Sequence, residues 1–273
     1  MTLCASSNNP ATCIDTHFLY TFHSRYTADC SDTIFQGPCY ATIAIGKTED
    51  VIAISFKGSA NVNNFKTNGQ KQLNDLTMAP FETFGNVADD YVTAFERLWS
   101  NGLGDAMMEL SIEFCDYTIL AVGHSTGCCL SQMLLPKLVD LDLFPPSRLI
   151  FYGYGCPRCG DQEFAASVDS STTNAWRVNW IDDNIVNTPS TTCARNAKAK
   201  KSSGTSCWFH CCSAAVAKNV FLVGLRFTTC AVGESTTCTA GTKSSTHYDY
   251  WNTESTDYED VTCTSTSRFT VMT

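Results

Sequence analysis

The sequence predicts an α/β protein: a mostly parallel central sheet with helices on both faces, rich in disulfides. Three observations point there. Short β-prone apolar runs alternate with longer segments whose apolar residues recur at helical spacing, the pattern of strands joined by crossover helices. One such run and one such helix flank Gly123-His124-Ser125-Thr126-Gly127, giving a strand–turn–helix unit around a serine. The chain's 273 residues, 44% of them hydrophobic, can fill one large core. No repeat and no linker composition divides it. Residues 1–273 therefore read as one domain, with a cysteine-rich N-terminal segment over about residues 1–39.

Taken in order, Cys4, Cys13, Cys30 and Cys39 fall in a turn-rich N-terminal segment. Strands are expected at 40–46 and 51–57. A helix follows at 87–101, where Val87, Tyr91, Phe95, Leu98 and Trp99 make an apolar stripe, and another at 103–114. Tyr117-Thr118-Ile119-Leu120-Ala121-Val122 is the strand that enters the pentapeptide, and 126–140 is the helix that leaves it, with a kink expected at Pro136. A strand at 148–154 precedes a helix at 161–168, which Asp161 opens. The last strands are 175–181, containing Trp176-Arg177-Val178-Asn179-Trp180-Ile181, and 219–224.

A G-x-S-x-G between strand and helix is the sequence form of a nucleophile elbow. The serine sits in a tight, strained turn whose crossing backbone only glycines admit, and its hydroxyl projects at the carboxyl end of the sheet. Ser125 is therefore the candidate nucleophile. In elbow-type hydrolases the acid and then the histidine follow the serine along the chain. Of five histidines, His17, His23 and His124 come too early, and His124 is expected to point away from the serine beside it. That leaves His210 and His247. Asp182 and Asp183 stand at the tip of the 175–181 strand, at the correct end of the sheet. Asp140 and Asp142 lie too close to the elbow helix.

These residues resemble the class 3 lipases, a family that includes secreted fungal triacylglycerol lipases, over roughly residues 40–251. Ile54-Ser55-Phe56-Lys57-Gly58-Ser59 is similar to the family's F-R-G-S/T segment. Gly155-Cys156-Pro157-Arg158-Cys159-Gly160-Asp161 is similar to its G-x-P-R-x-G-[ND] segment. Asp183-Asn184-Ile185-Val186 resembles D-P-[IV]-V, and His247-Tyr248-Asp249-Tyr250 resembles H-x-x-Y. The resemblance implies an α/β-hydrolase fold with Asp183 as acid, His247 as base, and an oxyanion hole from Ser59 and the Thr126 N–H. His210 then reads as a surface or cysteine-framed structural histidine. Cys230 and Cys238 sit where animal members carry a cysteine pair.

Several positions depart from the family pattern. Cys128 stands for a glycine, Thr126 for a leucine, Lys57 for an arginine and Asn184 for a proline. Val87-Ala88-Asp89-Asp90-Tyr91 lacks the histidine and glycine of V-H-x-G-[FY]. No triad member is lost. The implied activity is a secreted serine hydrolase that cleaves carboxylic esters of acylglycerols through an acyl-enzyme, without metal or organic cofactor. A phospholipase or a soluble-ester (feruloyl-type) esterase is the nearest alternative, and a catalytically silent lipid- or partner-binding member of the fold a remoter one.

Sixteen cysteines, an even count, suggest an oxidising compartment and disulfides. Zinc held by Cys156, Cys159, Cys207, His210, Cys211 and Cys212 is the disfavoured alternative. Cys128 and Cys129 read as small apolar helix residues. The N-terminus lacks a signal-peptide pattern, and Met1-Thr2-Leu3-Cys4 reads as a mature extracellular chain restarted with methionine. No apolar run is long enough to span a bilayer. A net charge of −9 disfavours nucleic acid. Arg195, Lys198, Lys200 and Lys201 read as a solvated insertion, and no N-x-[ST] sequon occurs. A monomer working on lipid at a lipid–water interface is expected. The segment 60–72, asparagine-rich and with only Val62 and Phe65 as sizeable apolar residues, predicts a poor helix and a short cover over the site.

Overall fold

The computed structural model describes residues 7–17, 19–46, 48–59, 62–180, 182–189, 218–223, 226–230 and His247. Ten strands occur among them: β1 Tyr20–Cys30, β2 Gly37–Gly46, β3 Val51–Phe56, β4 Met78–Pro80, β5 Asn86–Ala88, β6 Thr118–His124, β7 Leu149–Tyr154, β8 Asn174–Trp180, β9 Lys218–Val223 and β10 Arg226–Cys230. The α-helices are α1 Pro10–His17, α2 Val62–Asn74, α3 Asp89–Leu98, α4 Gly104–Glu113, α5 Thr126–Asp140 and α6 Gln162–Ser170.

Eight strands form one sheet in the order β1-β2-β3-β6-β7-β8-β9-β10, while β4 and β5 pair separately. The five from β3 to β9 run parallel. Antiparallel neighbours close both sides. Parallel strands need crossovers, and α3 to α6 lie in those that join β3 to β6, β6 to β7 and β7 to β8. Being covered, the central strands are rich in apolar residues: in β3, Ile52 to Phe56 are all buried, and only Ser55 among them is polar. Behind them Phe81 meets Phe95 edge-on at 5.5 Å, and Phe56 lies 6.4 Å from Phe95.

Register carries the site. Gly123 of β6 lies opposite Phe56 of β3 on one side and Gly153 of β7 on the other. The turns that leave these strands therefore emerge side by side, and β8, next in line, ends three residues before Asp183.

Three differences from the sequence reading stand out. The N-terminal segment is not mainly turns: it contains α1 and the eleven-residue strand β1. Its inward residues Tyr20, Phe22, Ser24, Tyr26, Ala28 and Cys30 do alternate, with a register shift between Phe22 and Ser24. Segment 62–74 is a thirteen-residue helix, not a poor one. Leu73, fully buried, anchors its last turn in the core, so tertiary packing overrides a weak intrinsic preference. Cys128 and Cys129 are not merely apolar helix residues, since both are disulfide-bonded. Helix α5 runs from Thr126 to Asp140 with Pro136 inside it, the span expected.

Candidate active site

Strand β6 enters the pentapeptide and α5 leaves it, with Ser125 between them at φ 56° and ψ −132°. A left-handed φ in a residue other than glycine is strained and persists only where the surroundings over-determine it. Here the Ser125 N–H donates to the Tyr154 carbonyl at 3.0 Å, and the Ser125 carbonyl accepts from the Cys128 N–H at 3.0 Å. A Cβ on Gly127 would stand 2.4 Å from the Phe56 carbonyl oxygen, and one on Gly123 would stand 2.5 Å from the Cys128 Cα. Both glycines are therefore steric requirements of the crossing. Ser125 is buried, and its hydroxyl has no hydrogen-bond partner among the described residues.

The segment after β3 lies against this turn. A Cβ on Gly58 would be 3.4 Å from the Ser125 Cβ, which puts Ser59 one residue from the elbow. The Ser59 hydroxyl donates to the carbonyls of Ile34 at 3.2 Å and Phe35 at 3.4 Å. Those two belong to the loop closed by the Cys30–Cys39 disulfide. Thr126, fully buried, opens α5, where backbone N–H groups have no partner within the helix.

Asp183 and His247 meet across 64 residues of sequence. The His247 Nδ1 lies 2.8 Å from Asp183 Oδ2, and both side chains are fully buried. The other carboxylate oxygen, Oδ1, accepts from the Ile185 N–H at 2.9 Å, so both oxygens of Asp183 are bonded. With the proton on Nδ1, Nε2 is left as the basic nitrogen.

His124 does more than the sequence reading allowed. Its ring lies 4.8 Å from that of His247, and its Nε2 is 2.9 Å from the His247 carbonyl oxygen. Burial, reinforced by the neighbouring His247, pushes its pKa well below 6.5 against the opposing effect of that hydrogen bond. A neutral His124 can donate Nε2–H to the carbonyl, tying His247 to the residue beside Ser125. Its place within the pentapeptide was the available signal.

Two buried arginines also escaped attention. Arg158 Nη1 donates to the carbonyls of Asn187 and, at 2.6 Å, Pro189. Arg177 Nη2 donates to those of Cys156 at 2.5 Å and Val186 at 2.7 Å. They knit the loop after β7 to the loop carrying Asp183. Arg158 stood in a segment whose family resemblance was visible, whereas nothing marked Arg177 within its strand. The sulfurs of Cys156 and Cys159 are bonded to Cys128 and Cys129, which removes them from any zinc site. His210, Cys207, Cys211, Cys212, Cys238, Cys263, Ile181 and the basic residues Arg195, Lys198, Lys200 and Lys201 lie outside the described residues.

Comparison with known proteins bears on the family and the fold. The family model "Lipase (class 3)" matches residues 53–193, just over half the chain. Lipase ZK262.3 of Caenorhabditis elegans is 27% identical over 175 residues, 62% of this chain; the chain spans 46% of that relative's length. Among solved structures, a lipase from Rhizopus microsporus var. chinensis superposes with a TM-score of 0.66 at 16% identity, covering 86% of this chain and 75% of that one. The triacylglyceride lipase of Rhizomucor miehei superposes with a TM-score of 0.62 at 20% identity, covering 82% and 76%. These likenesses establish the α/β-hydrolase fold. With the family match from β3 through the loop that holds Asp183, the chain belongs to the class 3 lipase family.

Proposed function

We propose that this chain is a secreted serine hydrolase that cleaves carboxylic esters of acylglycerols. The observation that carries the reading is the buried Asp183–His247 hydrogen bond beside the strained Ser125 turn. In this mechanism Ser125 Oγ attacks the ester carbonyl while His247 Nε2 takes its proton. Asp183 keeps the Nδ1–H tautomer and stabilises the imidazolium. The tetrahedral oxyanion is held by the backbone N–H groups of Thr126 and Ser59, and losing one such donor costs about 3–4 kcal/mol of transition-state stabilisation. His247 then protonates the departing alcohol. It next activates a water that frees Ser125 from the acyl group. The disulfides support an oxidising, extracellular location. Among the described residues no helix is long and apolar enough to cross a membrane, so access to lipid would be from its surface.

The test is alanine replacement of Ser125, Asp183 and His247, singly and in pairs, with a soluble ester and a fluorophosphonate label. Each single variant is expected to lose at least about three orders of magnitude in kcat, and the pairs little more, because the three act as a unit. Near-normal turnover by Asp183→Ala with loss in Asp182→Ala would reassign the acid. An active His247→Ala with a dead His210→Ala would reassign the base. Absence of labelling in the wild-type protein would leave the chain a non-catalytic member of its fold.

A further inference from the structure

We infer that the paired disulfides Cys128–Cys156 and Cys129–Cys159 are positioning devices of the active site, which hold the serine turn and the acid-bearing loop in one rigid arrangement; this rests on the hydrolase reading above. Cys128 and Cys129 lie in the first turn of α5, three and four residues after Ser125, and all four cysteines are fully buried. The Cα separations are 5.5 and 5.4 Å. Consecutive helical residues project about 100° apart around the axis. One cross-link would leave the first turn free to rotate about its bond. Two from adjacent residues to the same short loop fix rotation as well as distance. The turn so held carries the strained Ser125 and the Thr126 N–H, where a displacement of about 1 Å can cost about a hundredfold in rate.

The far side of the brace is as firmly tied. The Arg158 N–H donates to the Thr188 carbonyl at 2.7 Å, and its side chain bonds Asn187 and Pro189. The 156–159 loop thus joins the nucleophile's helix by two covalent bonds and the Asp183 loop by hydrogen bonds from buried guanidinium groups. Strand β7 makes room for this. A Cβ on Gly153 would stand 2.3 Å from the Cys156 sulfur and 2.6 Å from that of Cys128.

The experiment removes both partners of a bridge, so that no unpaired thiol remains. Cys128→Ala with Cys156→Ala, and Cys128→Ala with Cys156→Val to restore volume, are compared with the core variant Leu110→Ala, which lies in α4. Folding is followed by circular dichroism, turnover with a soluble ester, and nucleophile reactivity by the rate of fluorophosphonate labelling. Both bridge variants are expected to fold, to keep KM within about twofold, and to lose at least about tenfold in kcat and in labelling rate. Leu110→Ala should lower Tm comparably with kcat nearly unchanged. Normal kcat in a folded bridge variant would overturn the positioning role. Loss of the whole fold in both bridge variants would also overturn it, assigning the bond to global stability. An unlabelled wild-type protein would instead count against the hydrolase reading itself.

Discussion

His124 and His247 form a buried pair whose two rings are held differently. His247 has its Nδ1 committed to Asp183, while His124 is held neutral by burial and by the neighbouring ring. Neutrality has a cost that depends on pH. The unfolded chain protonates this histidine near 6.5, whereas the folded chain resists until well below that value. Below about pH 6.5 the unfolded state therefore binds more protons, and stability falls as pH falls. His124→Phe should flatten this acid limb in thermal melts between pH 7 and 5. It should also remove the hydrogen bond that His124 gives the His247 carbonyl, at about 1–2 kcal/mol, lowering kcat about tenfold. His124→Gln, which can still donate, should recover part of the lost turnover. A His124→Phe protein with wild-type kcat would show that the hydrogen bond does not position His247.

The elements around the site differ in how they are held. Helix α5 is buried from Thr126 to Pro136 and crosses the end of β3 at Gly127. Gly127→Ala would drive a methyl group into the backbone of Phe56, Lys57 and Gly58, none of which can swing aside. A loss of about 3 kcal/mol is expected, read as a lower urea midpoint. Helix α6 is better started than finished. At its N-cap, Asp161 Oδ1 accepts from the Phe164 N–H at 2.9 Å, while Oδ2 accepts from the backbone and side chain of Asn86. Asp169 lies in its last turn, where the negative end of the helix dipole disfavours a carboxylate, and burial raises its pKa to about 6. The folded state therefore holds this proton more tightly than the unfolded one, so stability falls as pH rises from about 4 to about 6 and stays lower above that. After allowance for solvent screening at a half-exposed site, Asp169→Asn should gain about 1 kcal/mol at pH 8 and little at pH 4. An equal gain at both would point to an effect other than charge.

At the scale of the molecule, strand order brings the turns after β3, β6, β7 and β8 to one end of the sheet, so residues far apart in sequence converge there. The loop closed by Cys30–Cys39 holds Ser59, the paired bridges hold the Ser125 turn, and the 182–189 segment carries Asp183. A net charge of −9 offers no general attraction to anionic membranes, so adsorption to lipid would depend on apolar contact. The segment after Ser59 is a helix, yet it is rich in asparagine, glutamine and lysine and holds few apolar side chains to exchange between protein and lipid. Weak interfacial activation is therefore expected. Rates on a short-chain triglyceride should rise smoothly through its solubility limit, whereas a sharp jump on emulsion formation would mean a hydrophobic cover from another segment.

Much of this was legible in the sequence because it is local. The elbow was readable because a strand, a small-residue turn and a helix are contiguous, and α6 because Asp161 sits at its cap. The break between α3 and α4 was readable at Gly102, which takes φ 103°. The segments resembling the family placed Asp183 and His247 as candidates, and in the structure they lie within hydrogen-bond distance. What the sequence could not express is partnership at long range. Strand β1 alternates clearly, but only pairing with β2 distinguishes it from a cysteine-rich coil. Helix α2 owes its formation to the packing of Leu73 in the core rather than to the intrinsic preference of its residues. The His124 hydrogen bond, the arginine ties and the choice of Cys156 and Cys159 as partners depend on which turns the sheet register sets side by side. Backbone preferences act over a few residues and so can be read along the chain. Side-chain partnerships form through space, and only the folded sheet decides them.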